Sequence, residues 1–207
     1  MTTIQKITDC LRPYMKNHDY QFSKKCFYRI QNDIAYCIQF DMPSSLNYAT
    51  FFVMPLYIPC EYRYYTYGKR ISALLPLSQN ASDEEIGKWC EALCEELENR
   101  VFPFFQRTAT PEQLVDAVEE KRYLLCPAVY ISRLELFSYL YIGDFSKLLP
   151  VLDEYPRVLR SITFLTETVR GALYAEAENV RRLMQRGEQE CHTFCAKTIE
   201  YTMHKCF

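Results

Sequence analysis

Thiolate and imidazole are common zinc ligands, and five residues between positions 191 and 206 offer them: Cys191, His192, Cys195, His204 and Cys206. Their spacing sets what they can do. On one continuous helix Cys191 and Cys195 share a face, His192 points about 100° away, and His204 lies about 20 Å further along the axis. A single helix therefore cannot close a tetrahedral site from these residues. A kink, another segment or a second copy of the chain would have to complete it, which gives one reading: a zinc-stabilised dimer. The plainer reading is buried thiols beside exposed imidazoles, and on that reading the chain needs no cofactor. Cys90 and Cys94 are also one helical turn apart, but they continue the apolar stripe of Trp89 and Leu93 and read as core.

Other reactive patterns are sparse. Nucleophilic catalysis needs a nucleophile and a base that meet, and His18, His192 and His204 are the three histidines. None sits in a Cys/His signature, and no G-x-S-x-G sequence occurs. The five glycines, at 68, 87, 143, 171 and 187, are too dispersed for a phosphate-binding loop. Glu84 with Glu85 and Glu176 with Glu178 are acidic pairs whose structural reading is a solvated helix face, where Glu178 can meet Arg182 one turn on.

The stretch from Tyr62 to Arg70 is the best candidate binding surface. Tyr62, Arg63, Tyr64, Tyr65, Tyr67, Lys69 and Arg70 set tyrosines beside cations, a combination that anchors protein interfaces and can stack on planar ligands. The structural alternative is an edge strand whose alternate tyrosines enter the core. Charge favours a protein partner over nucleic acid or a membrane surface, because the formal net charge is −2 and no global basic field exists. The basic residues Arg181, Arg182 and Arg186 are interleaved with Glu178, Glu188 and Glu190, which reads as a solvated face.

These residues must be positioned by a chain of 207 residues, long enough for a large domain or for a domain with a helical extension. Hydrophobic residues make up 49% and charged residues 24%, so the chain can build a core and is not of disordered composition. Residues 1–19 interleave Gln5, Lys6, Asp9, Arg12 and Lys16 with apolar residues, unlike a signal peptide. No run approaches the roughly 18 apolar residues of a membrane span. The expectation is a cytoplasmic protein whose ten cysteines are reduced.

A change of register near residues 77–82 divides the chain. Ile4, Ile7, Leu11, Tyr14 and Met15 predict an opening helix, with Pro13 perturbing its last turn. Tyr20–Ile30 and Ile34–Phe40 alternate as strands about a turn at Gln31, Asn32 and Asp33, although Lys24 and Phe27 break strict alternation. Tyr48–Ile58, apolar on both faces, predicts a covered central strand ending or bulging at Pro55. Tyr62, Tyr64, Tyr65 and Tyr67 supply a fourth strand before Gly68. Ser82 and Glu85 form a capping box that starts a helix running to Pro103, and Thr110 with Pro111 starts the next. Helices follow over Ala128–Tyr141 and Phe145–Leu152, then Arg157–Arg186 and Glu188–Met203. The pattern predicts an α+β fold: an antiparallel sheet of about four strands covered by helices in residues 1–108, and an all-helical region in residues 109–207 packed on it.

The order of these segments resembles a bacterial family known as domain-of-unknown-function family 4304. The matching stretches are Asp19-Tyr20-Gln21-Phe22, Phe27-Tyr28-Arg29, Ile34 to Phe40 with Gln39, Arg70-Ile71, Trp89, Val101-Phe102-Pro103-Phe104 and Thr110-Pro111-Glu112. Together they span roughly residues 3–122. Asp19 stands where the family has glycine, and Leu75 to Asn80 replaces its glycine-rich loop. The resemblance implies an α+β fold and brings no catalytic residue, ligand or activity. The leading expectation is a non-catalytic module holding a protein partner, by analogy an immunity or regulatory partner. The alternative is an enzyme with a carboxylate- and tyrosine-lined pocket between sheet and helices.

Overall fold

A computed structural model describes residues 1–41, 45–64, 67–119 and 127–207. The chain forms two compact units: Met1–Met54 with Tyr64–Ala109 and Phe207, and Pro55–Arg63 with Thr110–Cys206. The first carries the sheet and the second is helical, an α+β architecture with an antiparallel sheet.

In the sheet unit, helix α1 (Thr3–Asn17) opens with a capping box between Thr2 and Gln5 and buries Ile4, Ile7, Leu11 and Met15. It passes straight through Pro13, which lies on the exposed side of the helix. The carbonyl that proline deprives of its partner can there be solvated.

Strands β1 (Gln21–Ser23) and β2 (Cys26–Gln31) replace the single strand expected over Tyr20–Ile30. Ser23 pairs with Cys26, so Lys24 and Lys25 are the two residues of a tight hairpin, with φ of 48° and 65°. This is why alternation broke at Lys24. The next hairpin, from β2 to β3 (Ile34–Asp41), turns at Asn32 and Asp33 with φ of 51° and 57°, the left-handed pair that fits strand twist.

Strand β4 (Leu46–Pro55) buries nearly every residue and lies between β3 and β5 (Tyr67–Arg70), while β6 (Leu77–Ser78) pairs with its opening residues. Of the fourth strand expected over Tyr62, Tyr64, Tyr65 and Tyr67, Tyr62 and Tyr64 lie outside any strand, Tyr65 lies outside the described residues and Tyr67 is in β5. Gly68 lies opposite Phe52, and a Cβ there would meet the Phe51 carbonyl oxygen at 2.2 Å, so the approach of β5 to β4 requires glycine.

Helix α2 (Asp83–Glu96) starts at the Ser82–Glu85 capping box and packs on α1. It does not stop at Pro103. A π-helical segment, Leu97–Val101, leads into α3 (Phe102–Gln106), with the proline in the first turn, where its missing N–H matters least. Trp89 donates from Nε1 to the Leu75 carbonyl at 2.9 Å, and the buried Tyr36 hydroxyl donates to the Thr108 carbonyl at 3.0 Å.

The helical unit contains α4 (Pro111–Glu119), α5 (Ala128–Ile142), α6 (Phe145–Ser161), α7 (Glu167–Arg186) and α8 (Glu188–Cys206). Gly143, at φ 75°, caps α5 in the left-handed conformation, and Asp144 caps the start of α6. Two boundaries differ from the sequence pattern. α6, expected to end at Leu152, continues through Pro156 to Ser161, held against α5 and α7. The helix expected over Arg157–Arg186 is broken at Ile162–Thr166, where Arg170 donates to the Leu159, Ile162 and Leu165 carbonyls and replaces the lost helical bonds. No helix among the described residues is long and apolar enough to cross a membrane.

Candidate functional site

Within the helical unit, the segment Pro55–Arg63 is strapped onto two helices, α5 and α8. Tyr57 stacks on Tyr141 of α5 at 4.5 Å between centroids, and its hydroxyl is 3.0 Å from Ser138 Oγ. Thr202 of α8 donates to the Ile58 carbonyl at 3.3 Å, and Arg133 of α5 donates to the Pro59 carbonyl at 3.0 Å. Arg133 is itself fixed by Glu176 of α7, a two-pronged ion pair with side chains only 13% and 21% exposed. Tyr201 donates to the Glu61 carboxylate at 3.2 Å, and the Lys205 ammonium lies 5.6 Å from the Tyr201 ring centroid.

This strap brings together residues that the sequence places far apart. Cys206 is buried and its thiol donates to the Cys60 carbonyl at 4.0 Å, while the half-buried Cys60 thiol donates to the Tyr62 carbonyl at 2.6 Å. The Cys206 side chain beside it is the largest influence on the Cys60 thiol; burial opposes it, the neighbouring backbone and the Arg133 guanidinium assist it, and the thiol is held down at about 7 from an ordinary 9.0. Other thiols behave oppositely. Burial pushes Cys195 up to about 12 and Cys94 up to about 11, and it raises Cys191.

Cys206 thus has as a neighbour Cys60, a residue outside the candidate zinc set. Cys191 and Cys195 are buried on α8, His192 is exposed and 3.3 Å from Glu188, and His204 is exposed. Among the described residues no group of three or more His, Cys, Asp or Glu side chains is placed to hold a metal. Cys60 had no local signal, because its partner lies 146 residues away.

The tyrosine-rich stretch is divided as well. Tyr62, 71% exposed, and Arg63 belong to the strap of the helical unit. Tyr64, Tyr67, Lys69 and Arg70 belong to the sheet unit, where Tyr67 is wholly buried and Arg70 lies 4.2 Å over the Tyr48 ring. Tyr65 lies outside the described residues.

The sheet unit has its own cleft of about 1060 Å³ beside the first turns of α1, bordered by Lys6, Asp9, Arg12, Lys25 and Asn47. Lys6 is paired with Asp83 at 2.6 Å and Arg12 with Asp9 at 3.7 Å. Asp9 is the only carboxylate among the cleft's described lining residues, and no tyrosine is among them. The side-chain amide oxygen of Asn47 is buried with no hydrogen-bond partner among the described residues, sealed from solvent rather than presented to it. A third grouping joins Tyr14 of α1 and His18, which caps the end of that helix, to Glu98 on the π-helical segment, at 2.8 and 3.2 Å from one carboxylate oxygen, with Phe102 packed on the imidazole. Burial and the Glu98 contact raise the Tyr14 hydroxyl, leaving it a neutral donor to the carboxylate.

No family model, no curated protein and no solved structure matches the chain.

Proposed function

We propose that the protein is a non-catalytic interaction module that holds a protein partner through the Tyr62–Arg63 surface of its helical unit. The observation that carries this reading is that Tyr62 stands 71% exposed on a segment whose neighbours are tied down at Ile58, Pro59 and Glu61. An aromatic ring on a fixed backbone loses little freedom on binding and can desolvate a large area, which is what interface anchors do. Tyr201, 42% exposed and bonded to Glu61, adds a second aromatic surface beside it. A cytoplasmic location and the resemblance to the uncharacterised bacterial family agree with such a role but do not carry it.

The test is capture of the protein, gently isolated from its own cells, followed by native mass spectrometry. The intact chain carries a stoichiometric protein partner, and Tyr62→Ala with Tyr201→Ala releases it while the circular dichroism spectrum stays unchanged. Undiminished binding by the doubly substituted, folded protein would remove this surface from consideration. The enzyme reading starts instead from the cleft beside α1. It predicts a small molecule retained by the native protein and lost on Arg12→Ala.

A further inference from the structure

We propose that Cys60 and Cys206 are a redox-active dithiol that takes a hydroperoxide as its oxidant and closes to an intramolecular disulfide. The two cysteines are neighbours, the buried Cys206 thiol donating to the carbonyl of half-buried Cys60 at 4.0 Å, so that a reachable thiol has a second one behind it, the arrangement of an attacking and a resolving thiol. Arg133 supplies the cation that favours a thiolate at Cys60, and it cannot drift away, because Glu176 and the Pro59 carbonyl hold its guanidinium. The backbone that carries Cys60 is anchored to α8, the helix that carries Cys206, by Thr202 bonding Ile58 and Tyr201 bonding Glu61.

The chemistry balances with the hydroperoxide as the sole oxidant. The Cys60 thiolate attacks the terminal peroxide oxygen; a sulfur–oxygen bond forms, the oxygen–oxygen bond breaks, and the alkoxide leaves as an alcohol after taking a proton. The sulfur, oxidised by two electrons, is now a sulfenic acid. Cys206 gives up its proton and attacks that sulfur; a disulfide bond forms, the sulfur–oxygen bond breaks, and hydroxide leaves as water with the Cys206 proton. Two thiols and one hydroperoxide yield one disulfide, one alcohol and one water.

A second thiol pair shows why neighbouring thiols alone are not enough. Exposed Cys10 acts on buried Cys90 in the sheet unit, but burial, Cys10, Cys94 and Glu91 all push the Cys90 thiol up.

The folded protein is treated at pH 7 with a few equivalents of hydrogen peroxide, alkylated, digested without reduction and mapped by mass spectrometry. The expected product is a Cys60–Cys206 cross-linked peptide, with Cys10, Cys90 and Cys195 still alkylated. In Cys206→Ser, dimedone marks a sulfenic acid at Cys60; in Cys60→Ser, Cys206 stays unmodified. Before oxidation, Cys60 is alkylated about tenfold faster than Cys195. Recovery of both Cys60 and Cys206 as free thiols from peroxide-treated, folded wild-type protein would overturn the proposal, as would a Cys10–Cys90 cross-link in their place. The first mapping uses the unsubstituted chain, so a variant that fails to fold does not obscure the answer.

Discussion

Arg133 and Glu176 face each other through two hydrogen bonds, Nε to Oε2 at 2.7 Å and Nη2 to Oε1 at 2.6 Å, and together they brace the strap that carries Cys60. Removing the acid leaves a cation with little solvent to replace it. Glu176→Ala is therefore expected to cost about 2–3 kcal/mol in urea unfolding, toward the lower end for a buried pair because some water reaches both groups. A cost below about 0.5 kcal/mol, typical of surface pairs, would show that the bracing is unimportant.

Gly68 admits no side chain against Phe51 and Phe52. Gly68→Ala must push β5 away from β4 and is expected to cost about 1–3 kcal/mol. Hydrogen exchange at the β4–β5 ladder reads this directly: unchanged protection in the variant would contradict it.

Lys24 and Lys25 both sit at positive φ, where a side chain other than that of Asn, Asp or Gly is disfavoured. Replacing the pair by Asn-Gly is expected to stabilise the protein by about 1 kcal/mol, seen as a higher thermal midpoint. A lower midpoint would mean that the lysine side chains hold something the glycine cannot.

Ser82 accepts from the Glu85 amide while the Glu85 carboxylate accepts from the Ser82 amide at 2.7 Å. The Ser82 amide and the Ser82 hydroxyl, which donates to the same oxygen at 2.8 Å, hold the Glu85 carboxyl below its usual range. Ser82→Ala is expected to cost about 1 kcal/mol, and Ser82→Asp much less. Equal losses in the two variants would remove the cap as the cause.

Cys60 gives a pH signature. Its thiol is lowered in the folded chain from 9.0 to about 7, so its stabilising contribution is complete above pH 9, declines as pH falls toward 7 and vanishes below. Wild type should therefore gain stability relative to Cys60→Ser as pH rises from 6 to 9, and the alkylation rate of Cys60 should rise through a midpoint near 7. A midpoint near 9 in the folded protein would contradict this.

What could be read from sequence was what local chemistry encodes. Asn32-Asp33, the Ser82–Glu85 box and Gly143 mark chain reversals and helix ends through their own conformational preferences, and the structure uses each for that purpose. The alternation that announced β3 and the two-sided apolarity of β4 likewise report burial directly. Proline misled where tertiary packing outweighed it: α6 continues through Pro156, and the chain is helical on both sides of Pro103. The break at Ile162–Thr166 carries neither glycine nor proline and depends on Arg170 from the next helix, so nothing nearby announces it. Cys60 beside Cys206 is a long-range pairing, and no spacing rule reaches that far.

The bond between Thr202 and the Ile58 carbonyl spans 144 residues. During synthesis the segment that follows β4 emerges long before the helix that will hold it, so the helical unit cannot reach its final form until the chain has been made through Thr202. A fragment beginning at Thr110 would lack Tyr57, and with it the ring that covers Tyr141 and the hydroxyl that meets Ser138. Whoever divides this chain for expression must therefore cut by contact rather than by position, carrying residues 55–63 along with the helices.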